Sequence, residues 1–512
     1  MNKKKLLALL LACVLFVCPL WSCGGDGGDV VDGGGLNDDG TVNWEEVDFK
    51  GTTLKYAISV NQNAEVTYGP SNVYIEGPDS TTTDEVLKKV KARNTKVEDD
   101  LNIKIEYDHI DEWYDGVFDD LKMKVTGSSS DAPDLYNNDT YGLNRALIAG
   151  YLMNVADPVG AKGEELDSYF DFDYEGWNYD FMSGATLDSS KVYLLVGDYH
   201  LDVIRMAWVL YVNKTMFNQN ATSLGLGASD IADFYRYVLA GVWDYDMMAD
   251  LCRKIWQDNG TSKDRADVGD GRVGLAINHV SMGIFASSTC LTTFQLDEDG
   301  KATVIDDIND FNIMAGKARQ IQDANKTGDG IYYEDDVLSS TDHFMGGNFL
   351  FAHSVMGELE SDEMRDVSFE KGLVPLPKYS QERQEDYHTM VHDQAEVTAI
   401  LVTVKNFSCA SAFMQYANEA SREVLEEYYE FSLKFKYNED PSIRKMIDLV
   451  YDSIDKPFGT QFQNLILEYA PEGVAGLGAG IATNTVSSIF DANRSAYRAA
   501  LDKALEEFSK VP

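Results

Sequence analysis

Between Thr53 and Val155 the chain alternates two hydrophobic patterns. "TLKYAISVNQN" and "IKIEYDHI" place apolar residues at alternate positions or in short β-rich runs, which predicts strands. Between them Val86, Leu87, Val90, Val97 and Leu101 recur at helical spacing behind Thr83 or Asp84 as N-cap. A helix over "WYDGVFDDLKMKV", a Gly/Ser loop, a short strand at Asp134 to Tyr136 and a helix over "YGLNRALIAGYLMNV" continue the series. Strands alternating with helices predict βαβ units and a parallel sheet covered by helices.

The middle of the chain repeats the pattern. "KVYLLVGD", "MAWVLYVNK", "RVGLAINHV", "NFLFAHSVMGE", "GLVPLPKY" and "AEVTAILVTV" read as strands. "VWDYDMMADLCRKIWQDNG" reads as a helix with Asp244 as N-cap and Gly260 as C-cap. From Phe407 onward the chain reads as mostly helical. Several predicted strands end in polar or aromatic clusters: Asn137, Asn138, Asp139 and Tyr141; Gly197, Asp198, Tyr199 and His200; Asn278 and His279. Ligands of open parallel sheets sit at the carboxyl ends of strands, so these clusters predict a cleft for a polar molecule.

The N-terminus follows a different logic. Lys3, Lys4 and Lys5 precede an apolar run from Leu6 to Trp21, which reads as a secretory signal over residues 1–22. The run falls short of the roughly 20 apolar residues of a membrane span. Cys23 follows, and then almost nothing but glycine and aspartate to Gly40. Gly-rich chains behave as coils of about 5–6 Å × √n, so residues 24–40 would span roughly 20–25 Å. Residues 23–45 are therefore expected to be an anchor and flexible tether.

Composition narrows the partners. The chain has 512 residues, 44% hydrophobic, with a formal net charge of −42. Without the signal's three lysines the balance is 40 basic against 85 acidic residues, a net −45. Such acidity argues against nucleic acid or anionic lipid. Beyond Cys23 only Cys252, Cys290 and Cys409 remain, too few for a disulfide-built fold. A Cys252–Cys290 bridge and three buried thiols are the alternatives.

Six stretches, taken together, carry a resemblance. Leu20 to Cys23 resembles the lipobox of bacterial lipoproteins, with Trp21 where a small residue is usual. "PDLYNNDTYGLNRALIAGYLMNV", "KVYLLVGDYHLDVIRMAWVLYVNKTMF", "VWDYDMMADLCRKI", "FMGGNFLFAHSVMGEL" and "KGLVPLPKY" follow in the order found in bacterial extracellular solute-binding proteins. The chain thus resembles the receptor subunits of ABC importers, in the broad family that includes maltose-binding protein. Val212 interrupts the family's Tyr-Asn-Lys motif and Val242 replaces its threonine.

The resemblance implies an α/β, two-lobed periplasmic-binding-protein-like fold of type II. It implies one lobe from 46–207 plus 396–450 and another from 208–395 plus 451–512, with crossings near Trp208 to Val212 and Ala395 to Val402. It further implies a monomer, lipid-anchored through Cys23, with a carbohydrate cargo, permease partners, no cofactor and no catalysis. Peptide or polyamine cargo, an anchored glycan-active enzyme and an adhesin are the rival readings.

Aromatic faces suit the C–H faces of pyranose rings, and Asp, Asn and His suit their hydroxyls. Carrying the family's cleft over to this chain, the resemblance implies candidate ligand contacts at Tyr136, Asn138, Asp139, Tyr141, Trp177, Asp198, Tyr199, Asn278, His279, Glu358, His392 and Asp393. Tyr136 and Tyr199 are the expected stackers; core packing is the alternative for both. Trp208, Trp243 and Trp256 read as core.

Other chemistry is weaker. His388 and His392 have metal-ligand spacing without the glutamate of a zinc hydrolase. Asp323, Asn325, Thr327 and Glu334 fall at calcium-loop positions, with Gly330 where an aliphatic belongs; an acidic turn is the alternative. "GVAGLGAG", Gly473 to Gly480, lacks a phosphate loop's lysine and reads as a flexible loop near the cleft.

Overall fold

The computed structural model describes residues 31–510 apart from 38–39, 61–71, 79–80, 128–131, 161, 226–229, 258–270, 277–288, 325, 328–329, 332–343, 437–441, 455–457 and 482. Cys23, Asn278, His279 and Glu334 lie outside the described residues. Asn325 lies outside them too, so the calcium-loop reading as a whole is not described.

The strands in chain order are β1 Thr52–Ser59, β2 Ile103–Ile110, β3 Leu135–Asp139, β4 Trp208–Asn213, β5 Val273–Ala276, β6 Phe294–Leu296, β7 Ala302–Val304, β8 Lys326–Thr327, β9 Gly330–Ile331, β10 Phe349–Val355, β11 Lys371–Val374 and β12 Glu396–Ile400. They form two four-stranded sheets, ordered β12-β3-β1-β2 and β11-β4-β10-β5, with two small hairpins, β6-β7 and β8-β9. β1 runs parallel to β2 from Thr52↔Ile103 to Ser59↔Ile110, and parallel to β3. Each large sheet also takes an antiparallel strand where the chain arrives from the other lobe. β12 pairs β3 with Glu396 opposite Asp139, and β4 pairs β10 and β11.

Local sequence explains helices that cover the two sheets. Asp84 caps Glu85–Leu101 by accepting from the Leu87 amide at 3.2 Å, and Val86, Val90, Val97 and Leu101 face the core. Asp244 caps Tyr245–Ile255 in the same way. "KVYLLVGD" is buried but is not a strand: it makes only single bridges, Leu195 to Thr398 and Gly197 to Trp177.

Two crossing segments join the lobes side by side. Ala207 bridges Val391, the Trp208 amide donates to Met390 O at 3.0 Å, and the His392 amide donates to Met206 O at 2.9 Å. Helix Ser442–Asp452, expected in the first lobe as far as residue 450, packs against β11 and helix Ile231–Leu239 of the second as well as against the Glu427–Lys436 segment. Its apolar face explains this, since Ile443, Met446, Ile447 and Val450 are all buried. Helices Phe458–Leu467 and Val486–Phe508, expected in the second lobe, touch both: β6 or β7 on one side and helix Thr140–Ile148 on the other.

Part of the expected tether is docked. Gly33 O accepts from the Asp48 amide, Gly34 O from the Tyr169 hydroxyl at 2.6 Å, and Val31 O from the Asn406 side chain at 2.9 Å. Glycine is needed here for close approach as much as for looseness. A Cβ at Gly33 would run into the Phe49 ring, which is fully buried. Gly33→Val is therefore expected to release residues 31–37. Amide exchange at Val31–Leu36 should rise at least tenfold with global unfolding little changed; unaltered exchange would refute the docking.

Cys252, Cys290 and Cys409 are free thiols, and burial pushes Cys252 up to about 12. The Gly473–Gly480 stretch is also docked. Leu477 is buried and its amide donates to Thr293 Oγ1 at 2.9 Å. Among the described residues no helix is long and apolar enough to cross a membrane.

Candidate functional site

The site begins at the end of β3. Asp139 caps helix Thr140–Ile148, accepting from the Gly142 amide at 2.7 Å through Oδ1 and the Tyr114 amide at 2.8 Å through Oδ2. Burial, against these two amides, raises its carboxyl to about 7. Tyr114 sits just beyond β2 with φ 49° and ψ −114°, outside the usual regions for a non-glycine residue. Such a conformation costs about 1–3 kcal/mol and persists only where neighbours fix it. The neighbours here are Asp139 on its amide and Asp393 Oδ1, which accepts from its hydroxyl at 3.1 Å.

Asp393 belongs to the second crossing. Its carbonyl accepts from the Tyr141 amide at 3.1 Å and the Thr140 hydroxyl at 2.9 Å, which pins the crossing to the first lobe. His392 Nδ1 lies 2.9 Å from Asp393 Oδ1. Although burial opposes it, bonding to His392 and Tyr114 holds the Asp393 carboxyl below the usual range. The His392 ring stacks on Trp208 at 5.1 Å, and His353 from β10 stacks on Trp208 at 4.3 Å. Burial, with His392 nearby, lowers His353 to about 3, so this imidazole is neutral. Among the described residues, the buried Trp208 Nε1 has no hydrogen-bond partner.

An aromatic row leads outward from this group. Trp113 and Tyr141 each lie 5.0 Å from Tyr114, and the Arg145 guanidinium lies 5.8 Å over Tyr141. The Trp113 side of the row is open to solvent, at 44% exposure. Trp113, Tyr114, Trp208 and His353 are not among the sequence-derived ligand contacts. Trp113 and Tyr114 had a legible signal, since they follow β2 in a strand-end position of a parallel sheet.

A buried charged node stands beside the crossings. Arg205 Nε and Nη2 each donate to Glu360 at 3.1 Å, and Nη1 lies 3.1 Å from Asp202 Oδ1. Asp202 Oδ2 accepts from the Glu396 amide at 2.8 Å, and Tyr428 donates to Glu360 at 2.6 Å. The node thereby ties the first crossing to Glu360 of the second lobe and to Tyr428 of the first. Burial, with Asp202 nearby, pushes the Glu396 carboxyl well up.

The remaining sequence-derived residues fall elsewhere. Tyr136 is fully buried in the first lobe and donates to Asp120 Oδ2 at 2.6 Å, so neither expected stacker lines the crossings. The other, Tyr199, is buried under the Arg93 guanidinium, 4.3 Å from its ring. The reason lies in position: β3 is a central strand buried along its whole length, and Tyr136 is its second residue. Tyr136→Phe is expected to destabilise the fold by about 1.5–3 kcal/mol in denaturant titration. It should leave ligand affinity unchanged; a tenfold affinity loss would return Tyr136 to the cleft.

Asn138 is buried, donating to Glu112 O at 3.3 Å. Glu358 is buried in a turn, where Ser361 Oγ donates to it at 3.1 Å. Trp177 and Asp198 line a separate cavity. Among the described residues no three His, Cys, Asp or Glu side chains group as metal ligands.

Comparison with known proteins gives the class through the fold. No family model matches the chain, and no curated protein matches it in sequence. Solved structures do. One is the galacto-N-biose/lacto-N-biose I-binding protein of an ABC transporter from Bifidobacterium longum, in complex with lacto-N-biose. It is 14% identical, with a TM-score of 0.50, over 90% of this chain and 98% of that one. Another is an uncharacterized protein from Listeria monocytogenes EGD-e, 11% identical, with a TM-score of 0.51, over 90% of this chain and 99% of that one. The protein has the two-lobed α/β fold of extracellular solute-binding proteins.

Proposed function

We propose that this chain is an exported, lipid-anchored solute receptor of an ABC importer that holds a carbohydrate between its lobes. One observation carries the reading: the aromatic and acidic group where the chain crosses between the lobes. Trp113 and Tyr141 offer ring faces, while Asp393 and His392 offer hydrogen-bonding groups beside them. Such a pairing suits a pyranose, whose C–H faces pack on rings and whose hydroxyls need fixed polar partners. The sugar complex of the Bifidobacterium protein of like fold supports the same class of cargo.

Binding without turnover is the further part of the reading. Asp139 is engaged by two backbone amides, and Asp393 by Tyr114 and His392. Neither is a free acid of the kind a glycosidase uses. Anchoring rests on the sequence of residues 1–23 alone. Cys23→Ser should move the protein from the membrane fraction to the medium; retention in the membrane would defeat the anchor.

A thermal-shift screen of the purified chain against mono- and oligosaccharides, followed by product analysis of each hit, tests the cargo. A sugar that raises the melting temperature and is recovered intact is the expected result. No shift with any sugar, or a hydrolysed hit, would overturn the proposal.

A further inference from the structure

A cavity of about 390 Å³ lies beside the crossings, lined in part by Trp177, Asp198, His200 and Tyr451. It is separate from the group around Asp139 and Asp393. Leu195 pairs with Thr398 of β12, whose other edge pairs with β3. The cavity therefore follows the outer edge of β12, while Asp139 and Tyr141 follow β3 on its other side. Its wall includes Val203 and Ile204 of helix Asp202–Arg205, which leads into the first crossing. It also includes Ile454, which bridges Thr389 in the approach to the second.

The chemistry of the lining is one-sided. Asp198, Glu175, Asp180 and Asp452 contribute four carboxylates, and among the described residues no lysine or arginine lines the cavity. Asp198 is only 7% exposed, and among the described residues its Oδ2 meets no donor closer than the Arg422 guanidinium. The nearest cation, Arg422, stands 3.5 Å from Oδ2, an ion pair too long for a good hydrogen bond, and its side chain is 60% exposed. His200 is 3% exposed; its Nε2 meets Thr398 Oγ1 at 2.8 Å and its Nδ1 has no hydrogen-bond partner. Two residues that line one cavity thus carry, among the described residues, a buried carboxylate oxygen held only by its long ion pair with Arg422 and a buried imidazole nitrogen without a hydrogen bond, where such groups are ordinarily satisfied.

We propose that this cavity is a second binding site, for a small organic ammonium ion. The ammonium N–H groups would donate to Asp198 Oδ2 and His200 Nδ1, and the alkyl body would pack on Trp177 and Tyr451. Burial lowers His200 to about 3, with Arg93 adding to the effect, so the imidazole is neutral and can accept. Arg422 would act as an exchangeable counter-ion, displaced from Asp198 on binding. Because the wall includes the helix that leads into the first crossing and Ile454, which bridges Thr389 just before the second, occupancy would couple to their relative position.

The test is calorimetric titration of the full chain with 1,4-diaminobutane, spermidine and ethanolamine, against matched potassium chloride. One of these is expected to bind saturably at one site per chain in the presence of the salt. Asp198→Asn should weaken it at least tenfold, Arg422→Ala should tighten it several-fold, and Asp393→Ala should leave it unchanged. Should Asp198→Asn fail to fold, Tyr451→Ala at the partly exposed wall replaces it, with the same expected loss. Several outcomes would overturn the proposal: no saturable binding, binding erased by matched salt, or equal binding by the cavity variant. Binding lost in Asp393→Ala would place the ammonium between the lobes instead, and would also overturn it.

Discussion

Arg205→Met is expected to lower the stability of the folded chain by about 3–5 kcal/mol. The Arg205 side chain is 1% exposed and bonds Glu360 through two nitrogens and Asp202 through a third. Methionine would fill much of the space but leave Asp202 and Glu360 buried without their cation. Lysine should not rescue, because an ammonium cannot reproduce the forked contact with Glu360. The loss should also depend on pH. Arg205 opposes the upward push that burial and Asp202 exert on the Glu396 carboxyl, so its removal raises that folded pKa further and the contribution of Glu396 falls as pH rises. Glu396, pushed up by burial with Asp202 adding, already has this sign. The deficit should therefore be larger at pH 8 than at pH 5.5. Denaturant unfolding followed by circular dichroism measures it; a loss below about 1 kcal/mol would show that the node is not a structural tie.

The second large effect concerns affinity. Asp393→Ala is expected to weaken sugar binding by about 10- to 150-fold, the range of 1.5–3 kcal/mol for a hydrogen bond to a charged group. The side chain is 33% exposed, so it can meet a ligand while Tyr114 and His392 hold it ionised. Trp113→Ala should lose about tenfold or more by removing the exposed ring of the row. The two should differ in stability. Asp393→Ala also frees the Tyr114 hydroxyl, whereas Trp113 is exposed enough to be removed at little structural expense. Calorimetry on both variants with a sugar found by screening decides this. Wild-type affinity in both would move the cargo away from the crossings.

Much of the fold was readable because periodicity and caps agree. "IKIEYDHI" coincides with β2, and Asp84 and Asp244 cap the helices they were read to cap. The misreadings have physical causes. "KVYLLVGD" is as apolar as a strand, yet its neighbours offer only single bridges. The Gly/Asp run reads as coil, yet Gly33 is where backbone must pass a buried phenylalanine ring. Tyr136 and Tyr199 were singled out by nearness to strand ends, which does not say which face of a buried strand or turn a ring takes. The contacts that build the site join Tyr114 to Asp393 and Trp208 to His353, and no periodicity links residues so far apart. His392 and Asp393 were reachable only through the resemblance.

The most direct measurement is amide hydrogen exchange of the full chain with and without a sugar found by screening. The account predicts slower exchange in both lobes and both crossings together, over 113–114, 139–142, 206–210 and 391–395. Protection confined to one lobe, or absent from 113–114 and 391–395, would contradict capture between the lobes.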